Sequence, residues 1–218
     1  MGESLVDLPA ASVRAGNLLG FDAVTGQPIA VAPVSGSAAD LALDLASTAS
    51  GKGAALIGFK LTATGSAIRT LQAKISETVS ILDFGADPTG VADSTAAFAA
   101  AQAASLSVYW PAGTYKVNSI AINRPGATII TDGFATIIQQ ASGQPIGTRV
   151  VNITASDVTI GSFKVIGNIA TDTNEQQHGV FVQGNATNGA LTNISIGDVY
   201  GENLRGDTLY IGARSEEH

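Results

Sequence analysis

Seven short segments in the second half of the chain place two apolar side chains on one face with a single residue between them. They are Ile120-x-Ile122, Val151-x-Ile153, Val158-x-Ile160, Phe163-x-Val165, Val180-x-Val182, Ile194-x-Ile196 and Leu209-x-Ile211. A period of two is that of a half-buried β-strand. Several segments close on Gly161, Gly167, Asn168, Gly184, Gly197 or Gly212, residue types that mark turns. The segments also echo one another. His178-Gly-Val-Phe-Val182 is similar to Asp207-Thr-Leu-Tyr-Ile211, 29 residues on, and Val158-Thr-Ile-Gly to Ile194-Ser-Ile-Gly, 36 residues on. Offsets of roughly 20 to 45 residues belong to solenoids, in which each coil buries its apolar face against its neighbours. A β-sandwich also has short alternating strands, but hairpin signals between these segments are few.

The first half reads differently. Asn17 to Val31 holds two apolar runs about a Thr25-Gly26 turn, which predicts a small β-hairpin. Ser35-Gly36-Ser37 breaks the pattern, Ala38 to Ala46 predicts a short helix, and Ser50-Gly51-Lys52-Gly53 a loop. An apolar linker follows, Ala54 to Phe59, and then Ile68, Leu71 and Ile75, three and four residues apart, the seam spacing of a helix that packs along a partner. The stripe is under two heptads long, and a helix lying on the chain's own β-structure accounts for it equally well.

Between these halves lies the most specific stretch, Val79-Ser-Ile-Leu-Asp-Phe-Gly-Ala-Asp-Pro-Thr-Gly-Val-Ala-Asp-Ser-Thr-Ala-Ala-Phe98, followed by Val108-Tyr-Trp-Pro-Ala-Gly-Thr-Tyr115. Asp87-Pro88-Thr89-Gly90 is a turn, with proline presetting φ and glycine free to take a positive one. Asp93 stands where an N-cap belongs, ahead of an alanine-rich helix from Ser94 to Ala104. A helix of about three turns, apolar on most faces, needs an apolar surface to lie on. The open end of a solenoid is such a surface, with Phe98, Ala101 and Leu106 expected to plug it and Trp110 to pack between helix and first coil.

This combination resembles the start of the pectate-lyase-like domain of bacteriophage tailspikes and tail fibres. The resemblance implies a mainly-β fold: the start of a right-handed parallel β-helix with an N-terminal capping helix, preceded by a small α+β virion-anchoring segment. It implies an anchor over residues 1–50, a neck over 51–78 and the β-helix over 79–218, with Asp93, Phe98, Leu106 and Trp110 in the cap. A homotrimer is expected, with Leu56, Phe59, Ile68, Leu71 and Ile75 at its interface. The expected partners are a baseplate or tail protein, bound through the N-terminal segment, and host capsular polysaccharide or lipopolysaccharide. The expected location is the virion, after synthesis in the host cytoplasm without a signal peptide. Only three to four coils precede Arg214-Ser-Glu-Glu-His218 and no terminal cap is visible, so the sequence is expected to be the N-terminal part of a longer chain.

Composition narrows the function. Charged residues make up 13% of the 218 residues, about half the usual ~25%, and there are 25 glycines, which suits tightly stacked strands. A net charge of −7 without a basic cluster argues against nucleic acid as a partner. With no cysteine and only His178 and His218, neither a metal centre nor a cofactor is expected. No run of 18 apolar residues occurs, so membrane insertion is not expected.

The acids on the coils are Asp172, Glu175, Asp198, Glu202 and Asp207. Glycoside hydrolysis needs two carboxylates roughly 5 to 9.5 Å apart. Asp172, Glu175 and Asp207 are the candidate catalytic residues, since stacking of coils could bring Glu175 near Asp207, but surface and turn roles explain acids of this kind more often. Lys164 and Arg205, the cations a lyase would require, lack diagnostic spacing, and His178 reads as a turn histidine. Asp83, Asp87 and Asp93 lack calcium-loop spacing. The leading expectation is a structural tail component displaying a β-helix for polysaccharide binding; the alternative is a depolymerase, hydrolase or lyase.

Overall fold

A computed structural model of the chain describes residues 7–32, 38–184 and 189–212. The turn expected at Ser35-Gly36-Ser37 and the tail from Arg214 lie outside the described residues. The chain divides into two compact units, Met1–Lys74 and Ile75–His218.

The first unit starts with α1 (Ala11–Arg14) and the hairpin of β1 (Leu18–Phe21) and β2 (Pro28–Val31), paired antiparallel from Leu18 opposite Val31 to Phe21 opposite Pro28. Its turn is held by the Asp22 carboxylate, which accepts from the amides of Val24 and Thr25 and from the Thr25 hydroxyl. Next come α2 (Ala38–Ala46) and a short antiparallel pair, β3 (Gly58–Phe59) with β4 (Arg69–Thr70). The helix expected through Ile68, Leu71 and Ile75 is cut short: α3 covers only Leu71–Ile75, because the preceding residues pair as β4, and Ile68 stands outside it at 78% exposure. Gly53 is the one buried residue among the described residues of this unit.

The second unit is a parallel β-helix. It opens with β5 (Val79–Ser80), β6 (Thr89–Asp93) and α4 (Thr95–Ala104). Four coils of three strands follow: β7 (Ser107–Trp110), β8 (Gly113–Val117), β9 (Ile120–Ile122); β10 (Thr128–Thr131), β11 (Thr136–Gln140), β12 (Val151–Ile153); β13 (Val158–Ile160), β14 (Phe163–Ile166), β15 (Val180–Gln183); β16 (Ile194–Ile196), β17 (Val199–Glu202), β18 (Leu209–Gly212). Each coil gives one strand to each of three sheets, ordered β5-β7-β10-β13-β16, β6-β8-β11-β14-β17 and β9-β12-β15-β18. The sequence echoes are registers in these sheets: Val180 pairs with Leu209, and Val158 with Ile194. Coil length varies because residues 141–150 and 167–179 loop out between the second and third sheets.

Alternate side chains stack inward. Tyr115, Ile138 and Val165 form one column, and Ile122, Ile153 and Val182 another, all nearly or fully buried. Each such side chain removed from water contributes about 1.5–3 kcal/mol. The second column ends at Ile211, 70% exposed on the last described coil.

At the other end α4 stands where the first turn of chain would give a strand to the third sheet. Phe98 is fully buried, edge-on to Trp110 at 4.9 Å and to Tyr115 at 5.8 Å. Two expectations need correction. The helix N-cap is Ser94, because β6 runs through Asp93; the Asp93 carboxylate instead accepts from the amide and hydroxyl of Thr95 and from the Asn118 side chain. Leu106 is 43% exposed: it follows the helix on the approach to β7, beyond the buried face formed by Ala97, Phe98 and Ala101.

Candidate functional site

The loops at residues 141–150 and 167–179 bring polar groups from three coils to one corner of the β-helix. Gln177, fully buried, donates to the buried Gln140 side chain at 2.6 Å and accepts from the Arg205 amide, while Gln140 donates to the Thr148 carbonyl. Buried amides are tolerated because both ends are paired. Asp172, 6% exposed, belongs to this scaffold: its carboxylate accepts from the amides of Gly147 and Asn174. Arg205 is likewise committed, donating to the carbonyls of Asp172 and Ile169. Asp172 is thus turned inward, whereas Arg205 remains exposed while bonded to these carbonyls.

Beside this corner, the outward residues of the third sheet form a column. Asn152, Phe181 and Tyr210 occupy the same position on successive strands, with Ala121 at the foot. Phe181 and Tyr210 stack at 5.3 Å with 5° between their planes, and the Arg149 guanidinium lies 4.2 Å from the Phe181 centroid. His178 stacks on Tyr210 at 4.6 Å and on Phe181 at 5.7 Å. Sequence reasoning missed Arg149, Phe181 and Tyr210. The signal was present, since aligning His178–Val182 with Asp207–Ile211 sets Phe181 on Tyr210 and His178 on Asp207.

His178 is buried at its turn. Its Nδ1 accepts from the Asp207 amide at 3.0 Å, which places the neutral ring's proton on Nε2, buried and unpartnered. Burial lowers its pKa, the nearby Asp207 charge opposing this and Arg149 adding to it. The Asp207 carboxylate, 3.6 Å from Nδ1 and 66% exposed, therefore faces a neutral imidazole at pH 7.

The Glu175 carbonyl abuts Gly206, so the backbones carrying Glu175 and Asp207 do come together. Both side chains are open to water. On the second sheet, Glu202 pairs with Lys164 at 2.8 Å, and Lys164 lies over Tyr200. Trp110 is fully buried, and Tyr109 donates to Asp132 at 2.7 Å. Asp83 and Asp87 organise turns: Asp83 accepts from the Ser80 amide, and Asp87 from the amides of Thr89, Val91 and Ala92. Among the described residues no three acidic or histidine side chains converge on a metal position.

Residues 78–196 match a family model described as rhamnogalacturonase A/epimerase, pectate lyase-like. No curated protein matches the chain. Among solved structures, tailspike protein 3 of bacteriophage CBA120 is similar at a TM-score of 0.56 and 18% identity, over 82% of this chain and 29% of that one. The likeness is one of fold, and the chain spans less than a third of that tailspike.

Proposed function

Since the chain belongs to the rhamnogalacturonase A/epimerase, pectate lyase-like family, we propose that it is part of a phage tailspike or tail fibre whose β-helix binds host surface polysaccharide. The observation that carries this reading is the outer-face column of Arg149, Phe181 and Tyr210, two parallel rings from successive coils with one guanidinium against the first. Phe181 and Tyr210 are half-buried, leaving part of each ring open beside the Arg149 cation, and aromatic surface next to a polar group suits the C–H and hydroxyl groups of a glycan. Binding is favoured over cleavage because Asp172 is bound to backbone amides and Asp207 is open to solvent; a general acid needs a carboxyl whose pKa its surroundings raise. The test is binding of capsular polysaccharide or lipopolysaccharide from the host. Phe181→Ala and Tyr210→Ala should each weaken it about tenfold or more. Unchanged affinity in both variants would place the contact surface elsewhere.

The depolymerase reading is kept alive by one observation, the backbone contact that draws the loop of Glu175 against Gly206 and Asp207. New reducing ends released by the 218-residue chain, and lost in Glu175→Gln or Asp207→Asn, would make it the leading one.

The first unit is proposed as the virion-docking and trimer-forming part. Its apolar side chains support this: Leu18, Phe21, Leu41, Leu43 and Leu45 are all exposed. Surfaces of this kind are ordinarily covered by a partner.

A further inference from the structure

Asp207 places two of its polar groups, one a donor and one an acceptor, beside the same nitrogen. Its amide donates to His178 Nδ1 at 3.0 Å, and its carboxylate lies 3.6 Å from that atom. A neutral ring can use only the amide, because its Nδ1 is an acceptor; a protonated ring can use only the carboxylate, because Nδ1 is then a donor. The amide has to leave when the proton arrives. The ring has no room to turn away instead. It is 3% exposed, a Cβ on Gly206 would lie 2.7 Å from Nδ1, and the ring stacks on Tyr210 at 4.6 Å. The Asp207 side chain, 66% exposed, is free to swing toward it.

Few charges surround the ring. Asp207, on the approach to β18, favours the proton, and Arg149, on the approach to β12, opposes it. On the histidine's own loop, the Asp172 carboxylate is held by backbone amides and the Glu175 side chain is open to water. Arg205, on the turn before Asp207, holds the carbonyls of Asp172 and Ile169. Burial keeps the ring neutral at neutral pH, so the proton is taken up only in acid. The turn at Asp207 leads directly into β18, which carries Tyr210, and the Tyr210 ring stacks on both His178 and Phe181. An imidazolium against Tyr210 would also face the Arg149 cation across this pair of rings.

We propose that His178 is an acid-operated latch on the outer-face column: protonation at Nδ1 exchanges its partner from the Asp207 amide to the Asp207 carboxylate, displacing the turn that sets Tyr210 and weakening the column for its ligand. The last step rests on the reading that the column binds polysaccharide; the exchange itself does not.

The test is an NMR titration of the ¹⁵N-labelled 218-residue chain from about pH 8 to 4.5, following the His178 ring, the Asp207 amide and the Tyr210 ring. One shared midpoint is expected in all three. His178→Gln keeps an acceptor for the amide but takes up no proton, and should abolish the transition at Asp207 and Tyr210. Asp207→Asn keeps the amide and removes the charge, and should move the histidine midpoint to lower pH. A ring that stays neutral throughout, an Asp207 amide that ignores the titration of the ring, or a midpoint unchanged in Asp207→Asn would overturn the exchange. A second arm measures binding of capsular polysaccharide or lipopolysaccharide from the host at both ends of the range. Affinity should fall about fivefold or more in acid, and should not change with pH in His178→Gln. Equal affinity at both ends for the unaltered chain would overturn the control of binding. No binding at either end refutes the glycan reading and not the exchange, which the spectra decide.

Discussion

His178 and a group of aspartates all lose their contribution to stability as pH falls, in separate pH ranges, and each follows from what surrounds the side chain. For His178, burial lowers the folded pKa below the ordinary 6.5, so the unfolded chain takes up the proton first. The stability this ring contributes is complete above the unfolded value and is lost as pH falls through it, levelling off below the folded pKa. Protonation at Nδ1 would also displace the Asp207 amide. The thermal midpoint should therefore drop as pH falls below about 7, and His178→Gln should flatten that part of the profile. Asp87, Asp93 and Asp132 behave as ordinary carboxylates held low, each chiefly by a side-chain hydroxyl, from Thr89, Thr95 and Tyr109 in turn. Their contribution is present above the unfolded value of 3.8 and disappears as pH falls through the lower folded values. An Asp87→Asn variant should lose part of the acid slope below pH 4 while leaving the His178 step in place.

Among the elements, α4 is the one whose loss the β-helix should tolerate least. Phe98 fills the space between the helix and the rings of Trp110 and Tyr115. Phe98→Ala should cost about 3–5 kcal/mol, and Phe98→Asp more, through an uncompensated buried charge; urea unfolding with both variants checks the order. All seven strands expected from alternating apolar pairs are present as β9, β12, β13, β14, β15, β16 and β18, since two inward apolar residues are a sufficient signal. Among the strands of the same coils that were not legible are β10, β11 and β17. In β11 the inward positions are Thr136, Ile138 and Gln140, two of them polar and paired inside, which inverts the expected alternation. In β17 an inward position is Gly201, where a Cβ would lie 2.2 Å from Thr208 Oγ1. In β10 two isoleucines are adjacent, one in and one out. The outer-face column escaped notice for a related reason: Phe181 and Tyr210 lie 29 residues apart and become neighbours only when coils are stacked. The short α3 shows the reverse error: of three apolar residues at helical spacing, only Leu71 and Ile75 are in the helix, and Ile68 is cut off from it by the strand β4.

For the molecule as a whole, the contrast between its two units sets the expectations. The β-helix carries its own core, whereas the first unit has no buried apolar side chain among its described residues. Sedimentation equilibrium should give three times the chain mass, reduced in an Ile75→Asp variant; a monomer mass for both would refute the trimer. The order in which the β-helix is laid down has a consequence for how it comes into being. Every coil pairs with the one made just before it, at separations such as 29 and 36 residues, and the end closed by α4 is the end that leaves the ribosome first. Closing loops of that size is entropically cheap and nearly independent of total length. Assembly can thus run vectorially, each new coil docking on a finished template as it emerges. Pulse-labelled hydrogen exchange during refolding should find amides near Val108 to Ile122 protected before those of Ile194 to Ile211. A nascent chain stalled after β12 should already resist protease up to its last complete coil.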